Sequence, residues 1–176
     1  STDDEYRAAN AIFAQSPTVD EVKIGRQATL VAQVQTIVFD VDIITGNTIA
    51  GIVDVVALTA TPFDTNHLTT MNNLATKIQA TAGVATAVVG GVGNRTITVT
   101  SATAGVPTTL TGFLVTGGAS QAVATIATTI ENHGVAEDIA EIDEIDPDWY
   151  TLILTDRTLG HVQIAAATIE ANGGRM

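Results

Sequence analysis

The stretch Asp40-Val41-Asp42, with Gly46 and Asn47 close behind, sets two carboxylates at alternate positions ahead of a turn. A Ca²⁺ loop opens in this way, because the ion needs oxygen ligands that alternate along the chain and a bidentate Glu further on. Here Val41, Ile43 and Ile44 fill the intervening positions and no such Glu follows. The stretch therefore predicts a strand end with two outward aspartates. A second acidic group, Asp143, Glu144, Asp146 and Asp148, carries enough oxygen for a divalent ion. A run of this kind is more often a solvated helix end or a contact patch, and it is read so here.

The other chemistry-bearing residues are scattered. His67, His133 and His161 fall in neither an HxxxH nor an HExxH pattern, and each reads as a surface histidine. Gly90-Gly91-Val92-Gly93 follows a strand, as a phosphate loop does. It lacks the Lys-Ser/Thr of a nucleotide loop and leads into another strand, which predicts a β-hairpin turn. No Ser stands in a GxSxG elbow. There is no cysteine, and so no thiolate nucleophile and no disulfide. We assign no catalytic, cofactor-binding or metal-binding residue, and the expectation is a chain that is not an enzyme and carries no cofactor.

The elements that surround these residues change in texture along the chain. Residues 2–15 predict a helix, with Thr2 and Glu5 as a capping box and Tyr6, Ala9 and Phe13 as its apolar stripe. Val22-Lys23-Ile24 predicts a strand. From Ala28 onward Thr, Val, Ile and Gly dominate and charges are sparse. Strands are predicted over Thr29–Ile44 (in one piece or two), Ile49–Leu58, Val84–Val89, Thr96–Thr100, Leu110–Val115 and Ala122–Ile126. One helix interrupts them near 64–82, capped by Asp64 or Thr65, with Leu68, Met71, Leu74, Ala75 and Ile78 on its inner face. After Glu131 the first texture returns. Val135, Ile139 and Ile142 mark a helix, Trp149–Leu154 a strand, and Val162, Ala165, Ala166 and Ile169 the face of a last helix.

The fold class expected is an α/β layered core interrupted by a β-rich, α+β or sandwich-like, insertion domain. Residues 1–27 plus 131–176 make the discontinuous core, and 28–130 make the insertion. Loop-closure entropy rises slowly with length, so an insertion in a loop costs little. The net charge is −12, with seven Lys and Arg against nineteen Asp and Glu. That excludes direct binding of a nucleic-acid backbone, which rests on cationic contacts to phosphate, and an acidic membrane surface repels the chain as well. No apolar run approaches the ~20 residues of a membrane helix.

Both flanks resemble one protein family. On the near side the matching text is Tyr6-Arg7-Ala8-Ala9, Phe13-Ala14-Gln15-Ser16-Pro17 and Val22-Lys23-Ile24-Gly25-Arg26. On the far side it is Asp148-Trp149-Tyr150, the strand Thr151–Leu154, and Ala165-Ala166-Ala167 followed by Glu170-Ala171-Asn172. In this order they resemble the contractile tail sheath proteins of bacteriophages, in a branch known as a phage domain of unknown function. The middle block is similar to a recurring phage module through Gly83-Val84-Ala85, Thr96–Thr100 and Ala104-Gly105. The resemblance implies a structural virion protein, here a fragment, whose subunits surround the tail tube and contract during infection. It implies self-association into sheath rings, tube and baseplate proteins as partners, and a place in the phage tail after assembly in the host cytoplasm. It implies no catalytic residue. Another tail component (baseplate, tube or decoration) is the alternative, and a small metal-dependent hydrolase using the acidic group is the third.

Overall fold

The computed structural model describes residues 4–14, 27–145, 147, 152–155 and 157–172. Along the chain come α1 (Asp4–Phe13), β1 (Val34–Phe39), β2 (Asn47–Val53), β3 (Val56–Ala57), β4 (Thr61–Pro62) and α2 (His67–Gln79). Then follow β5 (Val84–Gly90), a 3-10 turn at Val92–Asn94, β6 (Thr96–Ser101), β7 (Leu110–Gly117), β8 (Ala124–Ile130), α3 (Val135–Ile145) and α4 (Leu159–Ala171). This is a mixed α/β protein with two antiparallel sheets, neither closed into a barrel. The chain divides into two compact units, one of Ser1–Thr29 with Gly134–Met176 and one of Leu30–His133.

All eight described strands lie in Leu30–His133. One sheet has the order β5-β6-β1-β8. In the other, β2 pairs with β7 along its length and with the short β4 and β3 near its two ends. Period-two alternation builds both sheets. In β6 it turns Ile97, Val99 and Ser101 inward, and in β1 it turns Ile37 and Phe39 inward. The buried faces of the sheets share one core with Met71, Leu74, Ala75 and Ile78 of α2.

Several boundaries differ from expectation, each for a tertiary reason. The long strand over Thr29–Ile44 shortens to β1, because Arg95 bonds both the Asp42 carboxylate and the Asp40 carbonyl and draws that end into a loop. The strand over Ile49–Leu58 folds back at Asp54, whose φ of 53° is left-handed, into the β2–β3 hairpin. Asp54 Oδ1 holds this turn by accepting the Thr109 N–H at 2.7 Å. The strand over Ala122–Ile126 is displaced to β8, in register with β1 from Phe39 to Val34. Neither Asp64 nor Thr65 caps α2. Thr65 is left-handed at φ 45°, and Asn66, extended, accepts the Thr69 N–H on its side chain. Leu68 is 43 % exposed and so leaves the inner face.

The described elements of the other unit are helices. Val135 and Ile139 of α3 pack against Ala165 of α4, with Leu152 and Leu154 beside them. Glu137 accepts the Gly134 N–H at 2.8 Å, and Glu137 and Asp138 sit in the first turn, where carboxylates suit the helix dipole. The buried side of α4 is rotated from the expected one. His161 and Ala165 are buried and Val162 is exposed, because this Ala-rich helix is apolar on every side and its partner α3 selects the face. Tyr6 and Phe13 of the expected stripe are exposed, and among the described residues the buried cluster of this unit includes none from α1. Leu152–Leu154 pair with no described strand. The expected strand Val22–Ile24, the Thr2 cap, Trp149 and Tyr150 lie outside the described residues. Among the described residues no helix is long and apolar enough to cross a membrane.

Candidate interaction surface

The residues that invited a chemical reading are fastened into the scaffold. Asp40 Oδ1 accepts the Val123 N–H at 2.7 Å, and Asp42 Oδ1 accepts Arg95 Nε at 2.7 Å. The bond from Arg95 holds the Asp42 carboxyl below the usual carboxylate range; desolvation opposes this, and the nearby Arg95 and His67 add to it. Asn47, buried behind the Gly46 turn, accepts the Ile44 N–H at 2.8 Å. Its amide nitrogen donates to the carbonyls of Gly117 at 2.7 Å and Ser120 at 2.9 Å. The oxygens of the Asp40–Asn47 stretch therefore point at separate partners and do not converge on a common centre.

The three histidines differ in their setting. His67, the first residue of α2, joins three segments. Its Nδ1 accepts the Ile43 N–H at 2.9 Å and its Nε2 donates to the Asn94 carbonyl at 3.2 Å. With Nδ1 accepting and Nε2 donating, one ring ties both segments to the start of α2. His133 pairs through its backbone with Val31. His161 is 3 % exposed and is therefore not a surface residue. Asp143 and Glu144 lie in the last turns of α3, while Asp146 and Asp148 fall outside the described residues. Among the described residues no three His, Asp or Glu side chains are placed to hold a metal ion. Gly90–Gly93 forms the turn of the β5–β6 hairpin. A Cβ on Gly91 would meet Thr96 Oγ1 at 2.5 Å, so that turn needs glycine for space as well as for its φ of 74°.

A shallow cleft of ≈ 510 Å³ lies between β4 and α2, lined by Thr61, Phe63, Asp64, Asn73 and Lys77 among others. Its polar groups serve the fold. Lys77 Nζ donates to the Thr59 and Ala60 carbonyls at 3.0 and 2.8 Å, and Asp64 accepts from Asn73 at 3.1 Å.

The outward face of the β5-β6-β1-β8 sheet is the more distinctive surface. Register places Val88, Thr98, Thr36 and Ala127 in one row across the four strands, and Thr96, Val38 and Thr125 in the next. No charged side chain stands in these rows, in a chain whose net charge is −12. The other sheet's outward face has the same character, with Thr48 opposite Thr116 and Ala50 opposite Leu114. Such faces offer contact area and hydroxyl hydrogen bonding. The signal was present in the alternation Thr96-Ile97-Thr98-Val99-Thr100. That a whole face is uncharged follows only from the strand order. The chain matches no family model, no curated protein and no solved structure.

Proposed function

We propose that the chain is part of a structural virion protein, a subunit of a phage contractile tail sheath. The observation that carries this reading is the order and spacing of the flanking motifs: Phe13–Pro17, then Val22–Arg26, then Trp149-Tyr150 and Ala165–Asn172. Two further features support it. The chain's two ends fall in one compact unit while the Thr-rich Leu30–His133 forms another. The second unit is accordingly read as an insertion that decorates a sheath-like core. It also presents broad uncharged faces, which suit a protein whose work is contact with neighbours.

On this reading the mechanism is mechanical. Rings of subunits stack around the tail tube in an extended state and slide into a contracted one. Such a switch requires interfaces with two packings separated by a few kcal/mol. The partners are further copies of the same protein, the tail tube and the baseplate, and the protein's place is the phage tail, after assembly in the host cytoplasm. The test is electron microscopy of the parent protein produced with its tube protein. Hollow cylinders of stacked rings around the tube are the expected result. Soluble subunits that only decorate finished tails would instead make it another tail component, and overturn the sheath.

A further inference from the structure

Asparagine carries an electrophile within reach of its own main chain. The backbone nitrogen of the next residue can attack Cγ and close a five-membered succinimide ring. In that step the nitrogen–carbon bond forms, the Cγ–Nδ2 bond breaks, and the proton given up by the backbone nitrogen leaves with the amide as ammonia. Water then opens the ring at either carbonyl and yields aspartate or isoaspartate. Two local conditions control the rate. The next residue must be small, because a Cβ crowds the closing ring, and glycine has none. The next nitrogen must also stand outside regular structure, because a helical N–H is committed to the carbonyl four residues back.

The structure sorts the asparagines by these conditions. Asn47 is buried, uses its whole amide and precedes Thr48. Asn10 lies inside α1, and Asn72 and Asn73 lie inside α2, so the nitrogens that follow them are helical. Asn66 caps α2, with its side-chain oxygen accepting from the Thr69 N–H and hydroxyl at 2.9 and 3.1 Å, and it precedes His67. Asn94 and Asn132 precede Arg95 and His133, whose side chains crowd the ring. Asn172 differs on each count. It is exposed and stands one residue beyond the end of α4, as its C-terminal cap. Its N–H gives the helix a closing bond, to the Thr168 carbonyl at 3.1 Å. In the sequence it is the one asparagine followed by glycine, in Asn172-Gly173-Gly174.

We propose that Asn172 is a self-modification site, cyclising onto the Gly173 nitrogen and passing through a succinimide to aspartate and isoaspartate. Both products set a carboxylate at the C-terminal end of α4, where the helix carbonyls already present negative charge. Isoaspartate in addition routes the main chain through the former side chain and adds a carbon to it. The ammonia is lost, so the change is one-way; it marks the age of each copy and loosens the last turn of α4. This inference rests on Asn172 and its successor and not on the sheath reading.

The test is to hold the full chain warm at mildly alkaline pH, sample it over weeks and map its peptides by mass spectrometry. Trypsin releases peptide 158–175, which should convert to two acid-form products of equal mass, with isoaspartate identified by electron-transfer fragmentation. Peptides carrying the other asparagines should stay unchanged over the same period. Conversion should slow at mildly acidic pH, because the attacking nitrogen must shed its proton. Gly173→Ala should slow it at least about tenfold, through the added Cβ. Asn172→Gln, whose ring would have six members, should stop it on this timescale. In the aged protein, amide exchange at 169–172 should quicken at least about threefold over fresh protein. An unconverted Asn172, earlier conversion at another asparagine, or equal rates in Gly173→Ala and the original would overturn the site, and unchanged exchange would overturn the loosening. These readouts do not depend on whether the parent forms tubes.

Discussion

Asn47 is 1 % exposed and uses its whole side-chain amide. Its oxygen accepts from Ile44, and its nitrogen donates to Gly117 and Ser120, which lie 70 and 73 residues further on. Asn47→Ala removes three hydrogen bonds, each worth about 1 kcal/mol net, and strands the Ile44 N–H at a further cost of roughly 1 kcal/mol or more. Water has little room to replace them, since a Cβ on Gly118 would already sit 2.5 Å from the Asn47 nitrogen. The expected loss is about 3–4 kcal/mol, or at least about 12 °C in Tm for a unit of this size. Asn47→Asp separates the donors from the acceptor. It keeps the shape and the bond from Ile44, but it turns a carboxylate oxygen toward two carbonyl oxygens. At pH 7 it should destabilise at least as much as Asn47→Ala, because the buried charge faces two acceptors. Urea unfolding of Leu30–His133, followed through protected amides of β1 and β6 by hydrogen exchange, measures both. An Asn47→Asp protein within about 1 kcal/mol of the original would show that the two donated bonds hold nothing, and would refute the reasoning.

The Asp42 carboxyl should titrate below the usual carboxylate range, and Arg95→Gln should bring it back up, as read by the ¹³C shift of the carboxyl carbon. Because the folded value is the lowered one, the pair's stabilisation is complete above the ordinary Asp value of about 3.9 and fades as pH falls through the lower folded value; an unchanged midpoint in Arg95→Gln would contradict this. A Cβ on Gly51 would lie 2.6 Å from the Phe113 ring, so Gly51→Ala should cost about 1–3 kcal/mol in denaturant unfolding. Phe113→Leu in the same chain should restore part of that loss, and simple additivity of the two would argue against the clash. Trypsin should cut after exposed Arg157 before it cuts after Lys77 or Arg95, whose side chains are bound to carbonyl and carboxylate oxygens. Mass spectrometry of a short digest gives the order, and early cleavage at Arg95 would speak against the turn as described.

The strand content of the middle block was legible because period two is a local signal. The alternation in Thr96–Ser101 and the glycine turn before it identify the β5–β6 hairpin without reference to anything distant. Strand ends were not legible, because long-range bonds set them. The Arg95–Asp42 pair and the Asp40–Val123 bond span 53 and 83 residues, and no pattern within a strand announces them. The α2 cap illustrates a different limit. Asp64, Thr65 and Asn66 are all good capping types, and backbone geometry decides among them. In α4 the apolar residues occupy every side, so periodicity cannot select a face, and a buried His161 was read as a surface one. The candidate surface depends on strand order. Of the three pairings in the β5-β6-β1-β8 sheet only β5–β6 joins neighbours in sequence, so the uncharged rows that cross all four strands were invisible until the order was known.

The placement of charge ties these points together. Leu30–His133 holds five acidic and two basic side chains, a net −3 of the chain's −12. Most of them have a structural task at a loop. Asp40 holds Val123, Asp42 holds Arg95, Asp54 holds Thr109, Asp64 holds Asn73, and Lys77 holds the Thr59 and Ala60 carbonyls. Charge in this unit fastens strand ends, and the sheet faces between them are left to Thr, Val and Ala. The remaining −9 lies in the other unit, which thus carries most of the charge that keeps copies apart in solution. Lys and Glu at the outward positions of β1 and β6 would have given solubility directly, without disturbing the inward core. Thr keeps β propensity and hydroxyl hydrogen bonding at those positions without adding repulsion. A unit built this way can meet another neutral surface closely, while the charge on the rest of the chain opposes casual encounters between copies.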